Sequence, residues 1–452
     1  MVRLLTCGAV AVAALLSGCG DVPSLDPKAG IGPDPTLPEP DYFYFTPVKI
    51  ADVVGWADND APKPAVGLAV TRFAAGLAHP RWLYVLPNGD VLVAESDGDE
   101  EPAMRAKSLF QRMFMKKAKG GTKPGQRILL LRDKDGDGVA ETKTVFIDKL
   151  HAPFGMALVG NQLYVAETDA LMRFPYQEGA TTAAGPGVKV ADLPGGPINH
   201  HWTKNVIASR DGSKLYVTVG SNSNVGENGM ENEVDRAAIL EVDPATGKHR
   251  VFASGIRNPN GMDWEPSTGM LWTAVNERDE IGDDLVPDYI TSVKPGGFYG
   301  WPYSYYGQHI DKRAYPRRPD LVAKAIKPDY AVGSHAGSLG FTFANANTLG
   351  PRFREGAFVG QHGSWNRSRP FGYKVVFIPF AGGKPSGMPI DVLGGFLSGA
   401  NAHGRPVGVV IDKKGGLLVA DDAGNAVWRV TSKPSRYNVG TGPKLISSGF
   451  TR

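Results

Sequence analysis

A short apolar segment, a turn bearing Gly or Asp, and a second apolar run closing on a polar or acidic residue recur six times along this chain. With the further apolar stretches that flank each pair, this pattern predicts an all-β fold, a six-bladed β-propeller. The second runs read Val91-Leu-Val-Ala-Glu95, Leu163-Tyr-Val-Ala-Glu167, Leu215-Tyr-Val-Thr-Val-Gly-Ser221, Leu271-Trp-Thr-Ala-Val-Asn276, Phe358-Val-Gly-Gln-His362 and Leu417-Leu-Val-Ala-Asp421. The first runs cover 82–85, 155–158, 206–208, 261–264, 339–343 and 407–411. Each pair is a β-hairpin signal, and hairpins repeated tens of residues apart mean a propeller or a solenoid.

An outer apolar stretch precedes each hairpin, at 70–77, 144–150, 188–193, 250–256 and 390–397, with 325–330 serving in the fifth unit. A fourth strand follows several hairpins, at 128–132, 171–174, 239–242, 375–379 and 427–430. This order makes the stretch at 70–77 complete the last unit, near residue 430, and so remove an open sheet edge. A β-sandwich accounts for the strands but not for the regular phrase. Two gaps are long, 71 residues from Leu92 to Leu163 and 87 from Leu271 to Phe358, and hold insertions at 96–126 and 300–328. Within 104–118, Leu109, Phe110, Met113 and Phe114 share one helical face, with Lys107, Arg112, Lys116 and Lys117 elsewhere. Such a basic amphipathic helix lies on an anionic membrane surface or packs on the propeller flank, and both readings stay open.

The chain has 452 residues, 42% of them hydrophobic, which is ample for a large core. Its net charge of +3 is too small to argue for a nucleic-acid partner. Arg3 and the apolar run 4–16 read as a signal peptide, too short to span a membrane. The run ends Leu16-Ser-Gly-Cys19, which resembles the bacterial lipobox, whose Cys becomes a lipid-bearing N-terminus. Cys7, the other of the two cysteines, leaves with the leader, so no disulfide is expected. The expected division is a leader at 1–18, a Pro- and Asp-rich extended tether at 19–45, the propeller at 46–436 and a tail at 437–452. The expected place is the bacterial cell envelope, with the chain lipid-anchored through Cys19 and facing the periplasm or the exterior.

In an antiparallel hairpin, residues just before the first strand and just after the second lie at one end. Six inner hairpins around one axis bring those residues to one mouth. Strand entries supply His79, Arg81, His151, His200, His201, Arg257, Asn258, His335, His403 and Arg405. Strand exits supply Glu95, Glu167, Ser221, Asn276, His362 and Asp421. Seven of the nine histidines are among them, which marks a site. Arg donates in bidentate fashion to carboxylates and neutral His offers a base, so the set suits an anionic, planar, oxygen-rich ligand.

The most specific motifs are Asn199-His-His-Trp-Thr-Lys-Asn205 with Asp211-Gly, Gly255-Ile-Arg-Asn-Pro-Asn-Gly-Met262, Gly296-Gly-Phe-Tyr-Gly-Trp-Pro302, Gly360-Gln-His-Gly-Ser-Trp-Asn-Arg367 and His403-Gly-Arg-Pro-Val407. From about Leu77 to Thr431 the chain resembles the quinoprotein glucose/sorbosone dehydrogenases, in its sorbosone dehydrogenase-like and pyranose dehydrogenase branch. The resemblance implies pyrroloquinoline quinone (PQQ) and Ca²⁺ as cofactors, a carbohydrate substrate, and oxidation by hydride transfer. It makes His201, ten residues before Asp211, the general base and Arg257 the ligand of the reactive quinone oxygen. It places Arg81, Asn258, His335, His362, Arg367, His403 and Arg405 around the cofactor, and the backbone carbonyls of Glu277 and Arg278 on calcium. The family's Lys after the fifth hairpin is His362 here, and its Asp beside the base is Ser221. No Cys-x-x-Cys-His haem motif is present, so electrons leave to a separate quinone or cytochrome acceptor.

Asp133, Asp135 and Asp137 alternate as in a calcium loop, but Thr144 stands where an EF-hand has Glu, and Asp-Gly pairs also simply make turns. Two other functions fit the fold: a calcium-dependent lactonase using Glu95, Glu167, Asn276 and Asp421, and an envelope scaffold that has lost the cofactor.

Overall fold

Six antiparallel sheets, each with a core of four strands, hold nearly all the regular structure of this computed structural model. It describes residues 25–433 except 27, 44–45, 48 and 99–122. The leader, Cys19, the amphipathic segment 104–118 and the tail 437–452 lie outside the described residues. The first sheet runs Pro80–Val85, Val91–Glu95, Arg127–Arg132, Thr142–Ile147. The second runs Met156–Val159, Gln162–Ala166, Ala170–Pro175, Val188–Asp192, and the third Val206–Ala208, Leu215–Val219, Ala238–Val242, His249–Ser254. The fourth is Pro259–Trp264, Leu271–Val275, Pro287–Ser292, Tyr330–Ser334, and the fifth Ser338–Phe343, Gly356–Gln361, Lys374–Ala381, Ile390–Gly394. The sixth takes Pro406–Ile411, Leu417–Asp421 and Ala426–Ser432 from the C-terminal part and Leu68–Ala74 from the N-terminal part.

Packing explains why the repeated phrase reads as unbroken apolar runs. Val91–Glu95, Leu215–Val219, Leu271–Val275, Gly356–Gln361 and Leu417–Asp421 are buried along their whole length. A strand covered on both faces loses the alternation of a half-exposed one. Six apolar clusters lie between sheets: Val165 of the second shares one with Leu92 of the first, for example, and Leu418 of the sixth shares another with Val93 of the first. Glycines in the phrase mark where first strands approach each other. A Cβ on Gly408 would stand 2.9 Å from the Arg81 carbonyl, and one on Gly340 would collide with the Val407 carbonyl.

Three differences from the sequence reading have physical causes. The fifth outer strand is Tyr330–Ser334, not 325–330, because Asp329 is spent accepting from Thr291 and Ser292. The third strand of the fourth sheet, Pro287–Ser292, escaped the pattern because it carries Asp288 in its buried interior. The segment expected as an extended tether is docked where it is described. Ile31–Gly32 pairs with Val332 and Ala331 at the edge of the fourth sheet, Lys327 pairs with Asp34, and Tyr42 bonds Ile310. The insertion at 300–328 holds the small hairpin Ser304–Tyr305/His309–Ile310 and the helical turn Pro319–Val322.

Candidate functional site

The register breaks where four first strands begin, between Pro80 and Trp82, Pro259 and Met262, Ser338 and Gly340, and Pro406 and Val409. Such irregularities re-aim side chains. They lie beside Arg81, Arg257, His335 and Arg405, whose side chains turn toward neighbouring sheets.

His201 stands on the loop entering Val206–Ala208, with Nδ1 2.7 Å from the Ser221 carbonyl. A carbonyl only accepts, so Nδ1 carries the proton and Nε2 keeps its lone pair. Nε2 has no hydrogen-bond partner among the described residues. Burial, Arg257 and His200 hold this imidazole well below its ordinary value, outweighing the Ser221 carbonyl. The ring is therefore neutral, with one open acceptor. The exposed His200 ring meets it edge-on at 4.7 Å. Beneath the loop, the buried Lys204 amine donates to the carbonyls of Trp202 at 3.1 Å and His201 at 3.4 Å. Burial and then Arg236 hold that amine well below its usual range.

Arg257, 1% exposed, reaches a second cluster. It donates to the Glu277 carbonyl at 2.7 Å, to Asn224 Oδ1 at 3.1 Å and to Asp279 Oδ2 at 3.2 Å. Asp279 Oδ1 faces His335 Nδ1 at 3.1 Å and accepts from Asn366 at 2.7 Å. His335 Nε2 lies 3.0 Å from the Gly282 carbonyl. Both ring nitrogens thus face acceptors, which requires a doubly protonated cation. Burial opposes the charge, but Asp279 and the Gly282 carbonyl raise the His335 pKa. Burial would likewise push the Asp279 carboxyl up, and His335, Arg257 and Asn366 instead pull it far down.

A third cluster centres on Asp422. Arg81 donates to it at 2.5 Å, His362 Nε2 is 2.8 Å away and His79 Nε2 is 3.6 Å away. These groups overcome burial and hold the carboxyl well below its ordinary range. Burial and then Arg405 push His362 down to about 4. Arg405 itself bonds carbonyls, those of His362 at 3.0 Å and Gly363 at 2.8 Å. Arg81 also lies 5.6 Å over Trp202, next to the proposed base.

The structure therefore gathers His201, Arg257 and His335 on one side and Arg81, His362 and Arg405 on the other. Arg367 is turned to Ser334 and Asp284. His403 is held by the Gly55 carbonyl and packs on Trp56 at 5.2 Å. The carboxylate ring of a lactonase is not assembled. Glu95 binds Arg127 and the Ala78 amide, Glu167 the His151 amide, and Asp421 the indoles of Trp56 and Trp428. Asp133, Asp135, Asp137 and Glu141 do cluster, but Asp133 already accepts from Gly136, Gly138 and Lys414, as a turn requires. Asp422, Asn366, Asn224 and Asp284 escaped the sequence reading. The doublet Asp421-Asp422 at a strand exit is the one signal that pointed to any of them.

Five buried polar atoms around these clusters lack partners among the described residues: Arg81 Nε, Arg257 Nε, Asn258 Oδ1, Asn366 Oδ1 and Arg367 Nε. Buried polar groups are seldom left unpaired. The three guanidinium N–H groups are donors that fit a polar, oxygen-rich group such as PQQ, and the two amide oxygens accept from a hydroxyl or water. Calcium at the Glu277 carbonyl does not fit the residues as placed. That oxygen already takes the Arg257 guanidinium, and two cations on one carbonyl repel. The Arg278 side chain turns away from these clusters, to Asp311 at 3.0 Å.

Comparison with known proteins bears on the family and the fold. The chain is 26% identical over 322 residues to an uncharacterized protein of Borreliella burgdorferi, a match covering 66% of this chain and 84% of that one. It is 23% identical over 296 residues to the pyrroloquinoline quinone-dependent pyranose dehydrogenase of Coprinopsis cinerea, covering 54% of this chain and only 39% of that protein. In fold it is similar to the holo form of the pyranose dehydrogenase PQQ domain from Coprinopsis cinerea. There the TM-score is 0.65 at 21% identity, over 84% of this chain and 100% of that domain. The family model described as TrAA12-like matches residues 121–297 and 322–433, more than half the sequence, and the chain belongs to that family.

Proposed function

We propose that this chain is a quinoprotein oxidoreductase that oxidises a sugar, sugar aldehyde or polyol, passing electrons to a separate quinone or cytochrome. The observation that carries the reading is His201, a neutral imidazole with Nδ1 committed to a carbonyl and Nε2 open, next to Arg257. PQQ, when bound, supplies a quinone carbon that accepts hydride. His201 Nε2 takes the proton of the substrate hydroxyl, the work of a general base. Arg257 places a fixed positive charge where negative charge develops, without reorganising at that moment. Arg81, Arg405 and Asn258 would hold the cofactor's polar rim. No step is assigned to calcium.

In this reading the six sheets are blades of one propeller ring spanning 46–436. The support is the chain of shared apolar clusters and the close approach of first strands at Gly340 and Gly408. Cys19 is the lipid-bearing residue of the mature chain, which works at a bacterial envelope facing the periplasm or exterior. The decisive experiment adds PQQ to purified apoprotein and follows quinone absorbance and dye reduction by aldoses. Failure to take up PQQ overturns the reading.

A further inference from the structure

The described chain begins beside the candidate site. The Leu25 amide donates to Asp284 Oδ2 at 2.9 Å, and the other oxygen of Asp284 binds Arg367 at 2.6 Å. Arg367 in turn bonds the carbonyl of Ser334, the neighbour of His335. Asp284 lies between the second and third strands of the fourth sheet, and antiparallel pairing puts that connection at the end where Arg257 and His335 sit. Only five residues separate Leu25 from Cys19, and the six steps between them reach at most about 21 Å fully extended. A five-residue strand such as Leu271–Val275 is itself roughly 17 Å long, so a tether spent crossing to the opposite end has almost nothing left.

A second observation lies on the same rim. Trp365 is 41% exposed, and it is the one exposed tryptophan of the eight. Its neighbours Asn366 and Arg367 are buried and fixed to Asp279 and Asp284, and its carbonyl accepts from the Lys49 amide. A rigid loop thus holds an indole outward at the tethered end. Tryptophan, apolar in body with one polar N–H, prefers the headgroup level of a bilayer. The insertion after Glu95 also leaves and re-enters at this end, at Glu95 and Arg127.

We infer that the rim bearing Asp284 and Trp365 rests on the lipid surface, so that the candidate site opens beside the membrane rather than away from it. The inference rests on lipid at Cys19 and is independent of the redox reading. The test uses the lipidated full-length chain in phosphatidylcholine vesicles, with and without brominated acyl chains. Tryptophan emission should fall in brominated vesicles. That fall should vanish in Trp365→Phe, and should be lost when a flexible insert of about 20 Gly/Ser residues follows Ser24, because the rim is then free to leave the surface. Flotation without quenching of Trp365 overturns the orientation. So does quenching of a Lys413→Trp reporter, at the opposite end, placed in the Trp365→Phe background. If the chain fails to float, or if Cys19→Ala floats equally well, the anchor is wrong and the orientation falls with it. Dye reduction by the same preparations without vesicles reports on the redox reading separately.

Discussion

Two histidines face two carboxylates on either side of the candidate site, and one is charged while the other is neutral. At Asp279, His335 has a carboxylate on one nitrogen and the Gly282 carbonyl on the other, so it is a cation. At Asp422, His362 faces the carboxylate with one nitrogen, while Arg81 already compensates that carboxylate and Arg405 sits beside the ring. Burial and the nearby arginine then win, and His362 stays neutral down to about 4. A carboxylate neighbour by itself does not set a histidine's charge. The second acceptor and the number of cations within reach decide it.

His201 has neither carboxylate nor second acceptor, and its variants carry the largest expected effect. His201→Ala should lose roughly 10²–10⁴-fold in dye-coupled turnover while PQQ titration is unchanged, because the base acts on substrate. His200→Ala, altering an exposed ring, should be mild. If instead His200→Ala is the inactive variant, the roles in this loop are off by one.

Next comes the Asp422 side as a structural knot. Asp422→Ala strands Arg81 as a buried charge without its partner, and should cost about 3–5 kcal/mol in urea unfolding. A loss under 1 kcal/mol would mean the cluster is solvated and the contrast with Asp279 is not electrostatic. Arg405 has no carboxylate to lose, so Arg405→Ala should instead weaken PQQ binding by about 1.5–3 kcal/mol, more than tenfold by titration, with little change in unfolding. Unchanged PQQ affinity would count against the quinoprotein reading.

The smallest effect tests the comparison most directly, through pH. The folded pKa of His335 lies above the ordinary 6.5, so its contribution is fully present below 6.5 and is lost as pH rises through the raised value. His362 is depressed to about 4, so the neutral ring stabilises above 6.5 and that contribution is lost as pH falls toward 4. The stability gap between the native chain and His335→Gln should therefore widen on acidification, while the gap to His362→Gln should shrink. Parallel slopes in denaturant melts at pH 5 and pH 8 would show that the two histidines are charged alike.

Much of the fold was legible because burial on both faces of a strand leaves a mark that is local in sequence. The outer strand at Leu68–Ala74 closing on Ala426–Ser432 followed from strand order alone. The strand Pro287–Ser292 did not, since Asp288 breaks its apolar run, and the docking of Ile31–Gly32 did not, since a two-residue edge strand has no periodicity. In the site, the positions of His201, Arg257, His335, His362 and Arg405 at strand ends were readable from the hairpins. Their ionic partners were not.

From the sequence by itself come the six hairpins, the strand order and the end at which histidines and arginines collect, because each depends on residues a few positions apart. The tertiary structure alone decided that Arg81 meets Asp422 across 341 residues, that Asp279 makes His335 a cation, and that Arg257 takes the Glu277 carbonyl expected to hold calcium. The physical reason is that charge and protonation depend on distance, burial and competing donors. Those quantities arise only when strand ends from different sheets are packed against one another.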